Sequence, residues 1–383
     1  MERALSTHFI YASMPTAIQI TASGMLLLLA GCDIKGMPLT SRTLALTAVH
    51  LGSVGLGNIV IADLDGDGFL DYAAPTLSGG IVVRFGLGHR AFGDELQPVK
   101  TGDVSDIAVG DVDGDGRLDL ISTDSLNDLH FFPGVAPRGF GPAALLSDDA
   151  CLLQSRRVVT ADFTGGHQLD IAVLSSQNQS AELFFGDGKG AFGLCTPFVL
   201  AGAPGPTAAV DLNGDGFTDL TVLAPQSNLV TILLATGGAD RFAPPRHFAT
   251  DLSSTDFAAA DLDGDGKTDL AIAQGIGKIA FHRNLGGGDF EPTGELDVSP
   301  TAVVVALADF DGDGVIDLAT GAEGVVEARH GDGKGGFGAS LSLTVANDIR
   351  RLVAIDLDGD HKMDLVSVSG RGQEVALFFN DTK

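Results

Sequence analysis

The sequence predicts an all-β fold, a seven-bladed β-propeller of four-stranded antiparallel blades, from three regularities. A nine-residue Asp/Gly motif recurs seven times, short apolar runs flank each copy in a fixed order, and a phenylalanine precedes the next copy at a near-constant distance.

The motif is D-x-D-G-D-G-x-x-D. Its first copy runs from Asp63 to Asp71, and later copies begin at Asp111, Asp162, Asp211, Asp261, Asp309 and Asp356, at intervals of 48, 51, 49, 50, 48 and 47 residues. Such spacing along one chain marks a repeat architecture. One apolar run enters each loop, as in Ile59-Val60-Ile61-Ala62, and a second leaves it, as in Asp269-Leu270-Ala271-Ile272. A third follows a short polar link, as in Val230-Thr231-Ile232-Leu233-Leu234, and a Gly-rich turn with a Phe opens a fourth. Short β-branched runs between Gly and Asp turns are strands, and nothing between copies has the length and period of a helix. Four antiparallel strands repeated radially make a propeller blade, whereas an open stack would leave bare edges.

Phe92, Phe192, Phe242, Phe290 and Phe337 each lie 19 residues ahead of the next motif, and Phe140 lies 22 ahead. A large aromatic at one place per blade fills the widening gap between neighbouring sheets. The same ruler predicts how the ring closes. The last unit ends after Glu374-Val375-Ala376-Leu377-Phe378-Phe379, while Thr43-Leu44-Ala45-Leu46-Thr47 is a fourth strand without a blade. The expectation is that this N-terminal strand completes the last blade, with the propeller spanning 42–383.

The chain of 383 residues has net charge -27, with 50 acidic against 23 basic residues. That excludes a nucleic-acid reader, which needs a basic surface. A hydrophobic content of 44% excludes a solvated acidic tail. The loops at 63–71, 111–119, 162–170, 211–219, 261–269, 309–317 and 356–364 hold 25 of the carboxylates, half of the acidic total. Asp at positions one, three and five puts three carboxylates on one side of a tight turn, and Gly at four and six permits it. The position-seven carbonyl and the position-nine Asp complete an oxygen-only set suited to calcium, and the chain lacks the thiolate or imidazole clusters of zinc or copper sites. Without a cation the grouped carboxylates repel one another.

The expected ligands are Asp63, Asp65, Asp67, Phe69 and Asp71; Asp111, Asp113, Asp115, Arg117 and Asp119; Asp211, Asn213, Asp215, Phe217 and Asp219. The remaining sets are Asp261, Asp263, Asp265, Lys267 and Asp269; Asp309, Asp311, Asp313, Val315 and Asp317; Asp356, Asp358, Asp360, Lys362 and Asp364. The position-seven members serve through their backbone. Loop three reads Asp162-Phe163-Thr164-Gly165-Gly166-His167-Gln168-Leu169-Asp170 and lacks carboxylates at positions three and five, so about six Ca²⁺ are expected, with the third site weak or empty. His361 replaces a glycine in loop seven and is expected to weaken that turn.

With these loops and the turns Gly-Asp-Gly-Lys-Gly-Ala-Phe-Gly at 186–193 and Gly-Asp-Gly-Lys-Gly-Gly-Phe-Gly at 331–338, the chain resembles the FG-GAP/VCBS repeat family, whose blades also build integrin α-subunit propellers. The resemblance runs from about residue 42 to 380. It implies calcium loops on the lower face, between the first and second strands of a blade. In adhesion members of the family, partners bind the opposite face.

Residues 1–31 read as an export signal, with Leu29-Ala30-Gly31-Cys32 resembling a bacterial lipobox. Cys32 would then carry the lipid, followed by a tether over 32–41, and the protein would sit at the cell envelope or outside the cell, touching membrane only through that anchor. Cys151 and Cys195 are expected as free, mostly buried thiols. No catalytic constellation stands out among the residues, so a protein-binding, adhesion or scaffold module, monomeric, is the first reading. A calcium-dependent polysaccharide lyase or other hydrolytic propeller enzyme is the alternative. The absence of Trp and the presence of only two Tyr weaken a sugar platform. The longest upper link, 146–157, carries Asp148, Asp149, Arg156 and Arg157 and is the expected partner-binding patch.

Overall fold

The computed structural model describes residues 17–18, 59–76, 79–94, 96–99, 103–126, 128–147, 155–193, 195–237, 241–251, 253–369 and 375–380. Among these residues all regular structure is β, and every sheet is an antiparallel meander whose neighbours follow chain order. The second sheet is representative, with strands Val104–Gly110, Asp119–Asp124, Leu129–Phe132 and Ala144–Ser147. Its second strand is buried at all six positions. A strand covered on both faces needs no polar alternation, so Leu120 and Ile121 stand side by side and Ser122 and Thr123 are buried along with them. Outer strands such as Thr196–Val199 and Arg246–Ala249 are largely exposed.

The molecule is a six-bladed propeller, which corrects the expected seven. Five sheets carry one motif copy each. The sixth carries two, because Phe337–Ile355 is one uninterrupted 19-residue strand. Its first part pairs with Asp317–Gly331, from Gly331↔Phe337 to Glu323↔Asp348, and its second with Asp364–Ser369, from Ile349↔Ser369 to Ile355↔Asp364. The physical reason lies in the connection. Leu341-Ser342-Leu343-Thr344-Val345-Ala346-Asn347 alternates without Gly or Pro, so nothing stops the strand where other units break at segments such as Gly202-Ala203-Pro204-Gly205-Pro206. The two arms of this sheet fold onto a shared core, with Val304, Ala306 and Val326 from one arm against Ile349, Leu352 and Phe378 from the other.

Each pair of neighbouring sheets buries an apolar cluster, and the ring is closed in the same way. Ile59, Ile61, Tyr72 and Val82 of the first sheet pack against Val353, Val366, Leu377 and Phe379 of the last. Leu212, Val230 and Leu234 of the fourth sheet pack likewise on Phe257 and Ile272 of the fifth. Burying such side chains contributes roughly 1.5–3 kcal/mol each. The strand expected at 43–47, and with it the closing role assigned to it, lies outside the described residues. A two-residue strand, Ala17–Ile18, pairs with Val60–Ala62 on the inner edge of the first sheet. No helix among the described residues is long and apolar enough to cross a membrane.

The six ruler phenylalanines occupy equivalent places. Phe92, Phe140, Phe192, Phe242 and Phe290 pair with Gly86, Gly134, Gly186, Ala235 and Asn284 at the end of the third strand, and Phe337 pairs with Gly331 at the end of the sixth sheet's long second strand.

Candidate metal centres

All seven loops close by the same backbone device. In loop one, Oδ1 of Asp63 accepts the N–H of Gly66 (2.7 Å) and Asp67 (3.0 Å), and Oδ2 accepts that of Gly68 (2.9 Å). Gly66 and Gly68 sit at φ +78° and +89°, where a Cβ is disfavoured. Histidine replaces glycine at position six in loops three and seven, with φ +61° at His167 and +66° at His361. Both amides still reach the first aspartate, at 2.7 and 2.8 Å. The expected weakening of loop seven therefore leaves its fold intact, and the strain is of order 1 kcal/mol.

Positions three and five each commit one oxygen to this framework. Asp67 N–H donates to Asp65 Oδ1 (3.1 Å), and Phe69 N–H donates to Asp67 Oδ1 (2.9 Å). The second oxygen of each remains for another partner. One ligand atom each from Asp63, Asp65 and Asp71 lies within 4.8 Å of the others, and the same holds for Asp111, Asp113 and Asp115 and for Asp261, Asp263 and Asp265. Asp65 Oδ2 and Asp358 Oδ1 are buried without a hydrogen bond, although the guanidinium of Arg138 forms an ion pair with the former. Burial raises the pKa of Asp65, Asp113 and Asp311, and neighbouring carboxylates add to it. Mutually repelling carboxylate oxygens converging on one point fit a hard divalent cation.

The loops differ in what surrounds that point. In loop four, Asn213 accepts the Asp215 N–H at 2.9 Å and gives its own amide to Asp215 Oδ2 at 2.9 Å. The position-seven side chains of loops two, five and seven turn back to position five: Arg117 pairs with Asp115, Lys267 with Asp265 at 2.8 Å and Lys362 with Asp360 at 3.1 Å. In loop six the His330 imidazole stands among Asp311, Asp313 and Asp317, at 3.3, 3.5 and 3.2 Å. Loop three brings only Asp162 and Asp170 to the corresponding place, with Thr164 and Gly166 between them.

Sequence reasoning missed the larger role of position nine. Asp71 Oδ2 accepts the N–H of Leu64 and its Oδ1 that of Gly86 (2.7 Å), so one carboxylate ties the loop's start to the end of the third strand. Asp119, Asp170, Asp219, Asp269, Asp317 and Asp364 repeat both bonds. All seven are buried. Burial pushes Asp71, Asp219 and Asp364 up to about 7 and Asp119, Asp170 and Asp317 up to about 6, against the lowering pull of the backbone donors. The signal was present in loop three, which keeps Asp170 after losing positions three and five.

Cys32, Asp148 and Asp149 lie outside the described residues. Arg157 is half-buried, with Nη1 3.9 Å from the buried Asp106. The charges of Arg157, Asp106 and Asp256 all act on the buried Arg351. These four residues come from four different sheets and each stands five residues ahead of its loop, so the inner strands bring alternating charge together at the same level of the ring. Cys195 is disulfide-bonded, its partner lying outside the described residues, which overturns the expected free thiol. Beside loop five, between the fifth and sixth sheets, a cleft of about 380 Å³ is lined by Asp263, Phe281, Arg283, Lys334 and Phe337. Arg283 there is held by Glu291 and by Asp263 at 4.0 Å.

The model of the FG-GAP-like repeat matches residues 63–122, 162–222, 211–272, 261–320 and 309–367. No curated protein matches the chain. Among solved structures, an Agrocybe aegerita lectin described as recognising non-reducing terminal N-acetylglucosamine is 23% identical, with TM-score 0.56, over 78% of this chain and 81% of that one. BBS1N, solved in complex with ARL6DN, is 10% identical, with TM-score 0.62, over 89% and 98%. A Lactobacillus plantarum protein is 15% identical, with TM-score 0.58, over 80% and 91%. At these identities the likeness is one of fold.

Proposed function

The chain belongs to the FG-GAP-like repeat family, and on that premise we propose that it is an exported, calcium-stiffened propeller that binds a protein partner as an adhesion or scaffold module. The observation that carries the calcium reading is the convergence of carboxylate oxygens in the loops, including the buried, hydrogen-bond-free Oδ1 of Asp358. When bound, the ion neutralises charge that the fold has already gathered. Residues at positions one, three and five would hold it, with the position-seven carbonyl and position nine alongside. The protein-partner reading is supported by the family and by the fold's use in the BBS1N complex with ARL6DN. Export is supported by the disulfide at Cys195, a bond that persists in oxidising compartments. A lipid on Cys32 would supply the anchor.

Equilibrium dialysis against ⁴⁵Ca²⁺, with thermal melts in calcium and in EDTA, tests the core of this reading. About six ions and a melting temperature that falls on chelation are expected, since each site at a hundredfold its Kd contributes about 2.7 kcal/mol. Binding of one ion or none, with identical melts, would end it. The partner is sought by immobilising the chain in calcium and eluting envelope proteins with EDTA, and mass spectrometry of the N-terminal peptide reports on Cys32.

A further inference from the structure

The loops are also where neighbouring sheets meet, or at loop six where the two arms of the sixth sheet meet, and they are met in two ways. Loops two, four, five and six are docked by an N–H donor on the carbonyl of position two. Gly190 donates to Val112 (3.1 Å), Asn284 Nδ2 to Leu212 (2.6 Å), Gly335 to Leu262 (2.9 Å) and Asn380 Nδ2 to Phe310 (2.6 Å). At loops one, three and seven an arginine from the outer turn of the following sheet comes over instead, and each lies on a phenylalanine at the end of the loop's own third strand. Arg138 lies 5.4 Å above Phe85, Arg241 3.8 Å above Phe185 and Arg90 4.4 Å above Phe379. The four other loops have Pro133, Leu234, Arg283 and His330 at that position, so the aromatic ledge occurs where the arginine does.

The guanidiniums are aimed at the ion's place. Arg138 pairs with Asp65 and Asp67 of loop one, and Arg90 Nε donates to Asp358 Oδ2 of loop seven at 2.7 Å. Loop three has no position-three or position-five carboxylate to pair with, and there Arg241, held on Phe185, places its charge where it acts on Asp170 against the burial that raises that carboxyl. A cation on an aromatic face beside carboxylates is stabilised from both sides.

We propose that at these three seams the following sheet's arginine stands in for the loop's calcium: permanently at loop three, and in competition with the ion at loops one and seven. This rests on the calcium reading above and deepens it. The loops then fall into two classes, in which loops two, four, five and six load readily and loops one and seven load only as Arg138 and Arg90 withdraw.

The test is calcium stoichiometry and affinity of the full chain by equilibrium dialysis, with circular dichroism melts confirming each variant's fold. Thr164→Asp/Gly166→Asp restores the missing carboxylates of loop three. It is expected to add no tight site by itself and to add one ion when combined with Arg241→Ala. Arg138→Ala and Arg90→Ala are each expected to tighten one site by about tenfold, and to lower the melting temperature in EDTA but not in calcium. A restored loop three that binds an extra ion with Arg241 in place overturns the proposal, as does an unchanged isotherm in both arginine variants. Should a variant fail to fold, Arg138→Gln and Arg90→Gln, which keep the first part of the aliphatic stem and a polar end while removing the charge, carry the same expectation. The wild-type isotherm alone reports on the calcium reading, so the two failures are told apart.

Discussion

Loops two and three are built on the same backbone and differ in little else. In both, the first aspartate gathers three amides of the turn and the ninth ties loop to strand. Loop two adds Asp113 and Asp115, where loop three has Thr164 and Gly166. The motif therefore contains two separable functions: positions one and nine fold the turn, and positions three and five create the charge that calls for an ion. Loop three shows that the first survives without the second.

Breaking the shared part should have the largest effect and should not distinguish the loops. Asp119→Ala and Asp170→Ala each leave two buried amides without an acceptor and are expected to cost about 3 kcal/mol in urea denaturation. A loss confined to Asp119→Ala would mean that position nine acts through the ion alone. Next in size, Asp115→Asn is expected to remove one bound calcium and about 1–3 kcal/mol of calcium-dependent stability, while Thr164→Ala leaves both unchanged; dialysis and melts read this directly.

The pH dependence sharpens the contrast further. Asp119 and Asp170 are pushed up to about 6 by burial. A carboxyl with a raised folded-state pKa contributes stability that is fully present below its unfolded value near 4 and is lost as pH rises through 6. The metal-free chain should thus melt at a higher temperature at pH 5 than at pH 8, and calcium, which favours the ionised form, should shrink that gap. The same gap in calcium and in EDTA would count against the ion acting on these groups. The smallest effect is expected from Arg117→Ala, whose exposed pairing with Asp115 contributes no more than about 0.5 kcal/mol to stability but leaves position five freer for the ion.

Much of this was legible in the sequence. The apolar runs named the strands, and the phenylalanine ruler found one equivalent position in each of the first six units because a wedge between sheets admits a large side chain at only one level. The blade count was not legible. A regular 47-residue interval between Asp309 and Asp356 invites a break after Phe337, and only the lack of Gly or Pro from Ala339 to Asp348 argued against one. The staple role of position nine was hidden because a carboxylate at the end of a metal motif reads as a ligand, whereas its partners are backbone amides that every sequence has. The Arg138–Asp67 pair joins residues 71 apart and Arg90–Asp358 residues 268 apart, distances over which no local pattern operates.

The unbroken strand Phe337–Ile355 has a consequence for how the chain can be cut and rejoined. In a ring of modules, new termini are tolerated where one module hands over to the next, and cooperative units unfold with their own boundaries. Here the handover between the last two motif copies is itself hydrogen-bonded on both sides of Ile349. A circular permutant opened near Gly202 should fold, whereas one opened near Val345 would sever a strand that two ladders share. The strands of the sixth sheet, from Val304–Ala308 to Val375–Phe378, should accordingly behave as one indivisible block, exchanging their amides together rather than unit by unit.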